Sequence, residues 1–425
     1  MANACVLRSA QRSLGIGILT TFALLAGDSA WGQKVKYDQF KRPAGFDVAK
    51  QAAVGADLNA GAVPNAKDLQ NFYVAKFAEM TNPAKDKDIH KTRLDIKKQL
   101  QTSGNAAAPA AHDAANAFLL QHLPRLIVGL KPNLHPTVRY NLALLLADLD
   151  SVERKGQSNP VPLAAARPEL LKLLANTKAH DSARLAAVNG LSRHATLDNN
   201  AAARAEIANG VLAYLDELDK SPEATRKRNV KFWFESRAME ALGATETPTP
   251  EIVAALQARL VDANRPIWLR NRAAVSLGQL KYVAGAQVDL PALIAGYQSL
   301  LETAVDQEIT RRELRDVIFS VKRGIAGLSD PAPNALVTLM DAAQKSESTQ
   351  MVNAMSKMAE ACESSKIASE ARVVIAIKEI MNKWKAGEYS SELDADARAN
   401  LSEDESSGEP AEGEEDLYEF GSGLE

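Results

Sequence analysis

Six histidines, a few cysteine and methionine positions and two knots of basic residues are the parts of this sequence that could do chemistry. His90, His112, His122, His135, His180 and His194 include no pair four residues apart and no His-Glu-x-x-His. No single helix face therefore offers the two imidazoles that a zinc site of that kind needs. His135 and His180 stand just ahead of helical patterns, where local hydrogen bonding is the expected use. Cys362 closes the series Met351, Met355, Met358 at helical spacing, which reads as a small apolar residue in a methionine-lined core rather than a reactive thiol. Phosphate loops, Gly-x-Ser-x-Gly elbows and Cys-x-x-Cys-His haem motifs are all missing from the sequence. The expectation is no catalytic residue, no cofactor and no metal.

The basic knots are Arg226-Lys227-Arg228-Asn-Val-Lys231 and Arg311-Arg312-Glu-Leu-Arg315. Phe232-Trp233-Phe234 follows the first directly. Core packing is expected for at least two of these aromatics, and an exposed Trp233 beside basic residues would make an interface anchor. Charge along the chain sharpens the point. Residues 388–425 hold 14 acids against Arg398, a net of −13, so residues 33–387 carry +9 of the total of −3. A basic body with an acidic tail predicts an interaction with a protein or a polyanionic component, moderated by the tail.

The first 32 residues bear on where that interaction happens. Arg8 and Arg12 precede the apolar run Leu14–Ala26, and Ala30-Trp31-Gly32 supplies small residues at the −3 and −1 positions before Gln33. Charged start, short apolar core and small-residue exit read as a secretory signal. At about 13 residues the run is shorter than the roughly 20 of a spanning helix, so no membrane span is expected once residues 1–32 are removed. Export argues against nucleic acid as the partner despite the charge. Cys5 lies in the signal, which leaves Cys362 without an intrachain disulfide partner.

The elements that must position the basic knots are helical. Residues 33–65 show no sustained period and read as a poorly ordered lead-in, and residues 66–387 as a helical domain. Within it, runs of 12–20 residues with apolar helical spacing are separated by Pro, Gly, Asn or Asp. Helices are predicted near 66–80, 86–101, 111–130, 136–149, 162–175, 181–194, 200–219, 229–243, 250–262, 266–281, 290–303, 307–327, 333–344, 350–361 and 366–385. The tail, 388–425, is poor in large apolar residues and is expected to be disordered.

Four of these helices share one pattern. A charged residue is followed by small or apolar residues at +3 and +4 and by leucine at +7, in Arg139…Leu146, Arg184…Leu191, Glu235…Leu242 and Arg270…Leu277. That spacing lays an apolar stripe along a helix, and alanines within it allow close approach of a neighbour. The leucines are 45, 51 and 35 residues apart. The run Leu269-Arg-Asn-Arg-Ala-Ala-Val-Ser-Leu-Gly278 resembles the second helix of a HEAT-like repeat. The resemblance implies an all-α armadillo-type solenoid of antiparallel helix pairs and a binding or scaffolding role. It also covers a HEAT-like enzyme or enzyme subunit, such as the phycobilin lyases, although those act in the cytoplasm. A self-assembling envelope protein is a third reading.

Overall fold

The computed structural model describes residues 36–387 except 107–108, 130–131, 222–227, 284–285, 308, 328–333 and 365–368. The chain divides into a unit of residues 1–37, of which only Lys36 and Tyr37 are described, and a unit beginning at Asp38. The signal-like segment and the acidic tail lie outside the described residues.

In the second unit, five helices lead in: α1 (Val48–Asn59), α2 (Ala66–Met80), α3 (Ile89–Gly104), α4 (Ala110–Val128) and α5 (Pro136–Ala147). A two-stranded antiparallel ribbon follows, β1 (Asp150–Val152) with β2 (Val161–Pro162). Then come α6 (Ala166–Ala175), α7 (Asp181–Leu197), α8 (Ala201–Lys220), α9 (Arg228–Ala244) and α10 (Pro250–Val261). The last five are α11 (Ile267–Gln279), α12 (Leu290–Asp306), α13 (Arg311–Ala326), α14 (Ala342–Glu363) and α15 (Glu370–Lys385).

These helices form an α-solenoid of antiparallel pairs. In each pair α4–α5, α6–α7, α8–α9, α10–α11 and α12–α13 the second helix packs on the first. The second helices also stack on one another in the order α5, α7, α9, α11, α13, and α14 continues that layer. They begin at residues 136, 181, 228, 267 and 311, so the repeat steps are 45, 47, 39 and 44 residues. Those steps span the roughly 40–47 residues of helix-pair repeats.

The anchor residues explain why one layer stacks so closely. Leu146, Leu191, Leu242 and Leu277 are all fully buried between layers. Small residues then let backbones approach. A Cβ on Gly190 of α7 would strike Ala147 of α5, and one on Gly278 of α11 would lie 3.0 Å from Gly324 of α13.

The charged residue of each anchor is also buried. Arg184 (1% exposed) donates from Nε to the Leu174 carbonyl at 2.9 Å, near the end of α6, and from Nη1 to Glu217 on α8 at 2.7 Å. Arg270 repeats the device, with Nε on the Leu260 carbonyl at 2.8 Å and its other nitrogens on Thr303 and Ser299 of α12. Arg139 caps the end of α4 through the carbonyls of Ile127 and Gly129. The last carbonyls of a helix lack internal partners, and a guanidinium supplies several donors in a fixed fork. One residue thus closes its own pair, and in two repeats it also joins the next.

Three expectations need correction. The lead-in is not without structure, because Asp47 caps α1 and Phe46, Val54 and Leu58 are buried. Its apolar residues are too sparse among alanines to show a period. The two helices predicted at 333–344 and 350–361 are one, α14, after a short 3₁₀ turn at Leu336–Leu339. Asp341 and Gln344 form a reciprocal capping box that fixes its start. The ribbon at 150–162 was not anticipated. Its strands are too short to show alternation.

Candidate functional site

All second helices of the pairs run the same way, so their N-termini share one edge of the array. Each helix start carries unpaired N–H groups and a partial positive charge. His135 and His180 cap two of these starts through Nδ1, accepting from Thr137 N at 3.2 Å and Ser182 N at 3.1 Å. At α9 the usual compensation is reversed. Its first turn holds no acid, and Arg228 and Lys231 stand there. Helix α13 opens with Arg311 and Arg312 beside the Thr310–Glu313 capping box, and Arg315, one turn in, lies 3.7 Å from Glu363 of α14. Cations at a helix start each cost about 0.3–1 kcal/mol when exposed. Both basic knots found in the sequence therefore lie on the same edge, two repeats apart. Arg226 and Lys227 fall outside the described residues.

Between the knots sits the turn from α10 to α11. It contributes Asp262, Asn264 and Arg265 to a pocket of about 150 Å³, completed by Arg228, Lys231, Phe232 and Glu235 of α9. Arg228 Nη2 donates to the Asn264 carbonyl at 3.0 Å, and its guanidinium lies 5.3 Å from the Phe232 ring centre. Glu235 is 0% exposed and accepts from Arg265 Nε at 3.0 Å. Arg265 also pairs with Asp262, while Arg259 Nη2 reaches Asp219 at 2.7 Å. Burial disfavours the Arg265 charge, but the carboxylates of Glu235, Asp262 and Asp219 outweigh it and raise its pKa. The acid in this anchor thus inverts the polarity of the Arg184 and Arg270 anchors. Here the arginine is supplied by the following pair.

The aromatics divide as their helix faces dictate. Phe232 and Phe234 are buried, whereas Trp233 is half-buried with the Arg237 guanidinium 5.9 Å from its ring. Trp268, which sequence reasoning passed over, is 49% exposed in the first turn of α11. It occupies the same repeat position as Trp233, two residues before the anchor. Arg237 and Arg272 likewise match, two residues after it. Glu240 joins them, accepting from Arg237 at 2.7 Å and lying 2.9 Å from Arg272 Nη1. Aligning the anchors would have exposed this pairing in the sequence.

Elsewhere, Cys362 and His112 are both buried. Burial pushes the Cys362 thiol up to about 11, so the thiolate is scarce at neutral pH. His112 contacts the buried Glu153 at 3.1 Å. Among the described residues no three metal-ligating side chains converge, and no helix is long and apolar enough to cross a membrane. Comparison with family models and with curated proteins finds no match to this chain, so the positively charged edge of α9, α11 and α13 is read from its own residues.

Proposed function

We propose that this chain is a non-catalytic, exported binding scaffold that takes an anionic partner, a protein or a polyanionic envelope component, along the edge formed by the starts of α9, α11 and α13. The observation that carries the reading is the concentration of Arg228, Lys231, Arg311 and Arg312 in the first turns of two helices, where they oppose the macrodipole, with Arg315 one turn further in. Residues that lower stability at one place are best understood by what they bind there. Trp268 supplies an exposed aromatic anchor between the two knots, and interfaces favour tryptophan and arginine. The signal-like order of residues 1–32 supports a site of action outside the cytoplasm.

Affinity capture from an envelope extract tests the reading, with the mature chain as bait and a Trp268→Ala, Arg312→Glu variant as control. An acidic component retained by the first, released by salt and lost with the second, supports it. Equal recovery on both baits refutes it.

A further inference from the structure

The pocket at the start of α9 has a lining that suits neither a simple anion nor a simple cation. Arg228, Lys231 and Arg265 contribute positive charge, and Glu235 and Asp262 negative charge. Some of these groups already satisfy one another. Arg265 spreads its donors over Glu235, Asp262 and Asp219. Arg228 gives one N–H to the Asn264 carbonyl.

Two groups of opposite kind remain unspent. Glu235 Oε1 is buried with no hydrogen-bond partner, although Oε2 receives Arg265. A buried carboxylate oxygen without a donor is unusual, because its lost hydration is not replaced. Lys231, half-exposed on the same helix face one turn earlier, has no carboxylate within ion-pair distance among the described residues. Arg228 keeps further N–H groups beside it. An acceptor and donors lining one pocket call for a ligand with an ammonium and a carboxylate a few bonds apart. The volume of about 150 Å³ matches a cavity able to hold a molecule of benzene's size. Alanine and serine have six and seven heavy atoms.

We propose that this pocket binds a small zwitterion of the α-amino-acid type, its ammonium received by Glu235 and its carboxylate by Lys231 and Arg228. The Phe232 ring lies beside the small side chain. Neither half of such a ligand satisfies the site alone, since a lone anion leaves Glu235 Oε1 without a donor and a lone cation meets Lys231.

Isothermal titration of the mature chain with L-alanine and L-serine, and with acetate, methylammonium and phosphate, tests the proposal. One amino acid is expected to bind per chain, at least about tenfold more tightly than acetate or methylammonium. Glu235→Gln and Lys231→Met should each weaken it about tenfold or more. Lys231 is not part of the buried network, so its variant keeps the test decisive if Glu235→Gln fails to fold. Binding of neither amino acid, acetate or phosphate binding as tightly as alanine, or unchanged affinity in Lys231→Met overturns the proposal. The site stands apart from the polyanion reading, because amino-acid binding with no retention on heparin would remove that reading and leave this one.

Discussion

Arg184→Met is the most informative single change to the fold. Methionine preserves the length and apolar stem of the side chain, so packing is nearly kept and the polar contacts are removed. Those contacts are the Nε bond to Leu174 O at 2.9 Å, the paired bonds to the Glu217 carboxylate, and a cation over the Tyr214 ring at 4.7 Å. Breaking a buried pair from one side costs about 3–5 kcal/mol, because the remaining partner is stranded. The Glu217 side chain is 31% exposed and regains some water, which places the loss near the lower end. The end of α6 also loses a cap. The expected cost is therefore about 3 kcal/mol, read from denaturant unfolding of the mature chain. Hydrogen exchange should speed up most in α6, α7 and α8, since a solenoid loosens first beside the lesion. Adding Glu217→Leu should restore part of the loss, because the stranded acid is then gone. A midpoint shift worth less than about 1 kcal/mol, or protection lost uniformly along the array, would refute the view that buried arginines close the pairs.

Three further outcomes follow from the same contacts. Gly190→Ala gains about 1 kcal/mol of helix propensity but drives a methyl into Ala147, so a net loss of about 1–3 kcal/mol in thermal or denaturant unfolding is expected. Burial, with Arg193 and Arg167 nearby, pushes His194 down from 6.5 to about 4, so it stays neutral in the fold while the unfolded chain takes up a proton. Its contribution is complete above about pH 6.5 and is lost as pH falls toward 4, by about 3 kcal/mol, and His194→Gln should flatten unfolding free energy against pH over that window. Deleting residues 388–425 removes a net charge of −13 and should strengthen retention on heparin at low salt, more than it does in a control carrying those acids on a distant rigid linker.

The layer that stacks was legible in the sequence because its anchors obey one rule. Arg139, Arg184 and Arg270 each precede a buried leucine by seven residues, and helical periodicity turns that spacing into a face. Contacts between pairs were not legible. Glu235 stood out only as a departure, and its reason, Arg265 thirty residues later, requires the fold. Trp268 was hidden for a related cause, since its meaning comes from sharing a repeat position with Trp233. Helix α1 escaped notice because three apolar residues among alanines suffice once α2 and α3 cover them. The two basic knots were visible as composition, but their place on one edge follows from the parallel stacking of second helices.

The central claim, that this edge trades stability for anion binding, meets its most direct test in a charge reversal at the helix starts. Arg228→Glu, Lys231→Glu and Arg312→Glu together change the net charge as much as Lys98→Glu, Lys357→Glu and Lys378→Glu, three exposed lysines away from the starts of α3, α14 and α15. Heparin retention and thermal midpoint are measured for both triples and the parent. The edge triple should lose retention well beyond the control, and its midpoint should hold or rise, because acids at a helix start complement the macrodipole by about 0.3–1 kcal/mol each. Equal loss of retention in the two triples would show that net charge alone governs binding and would contradict the claim.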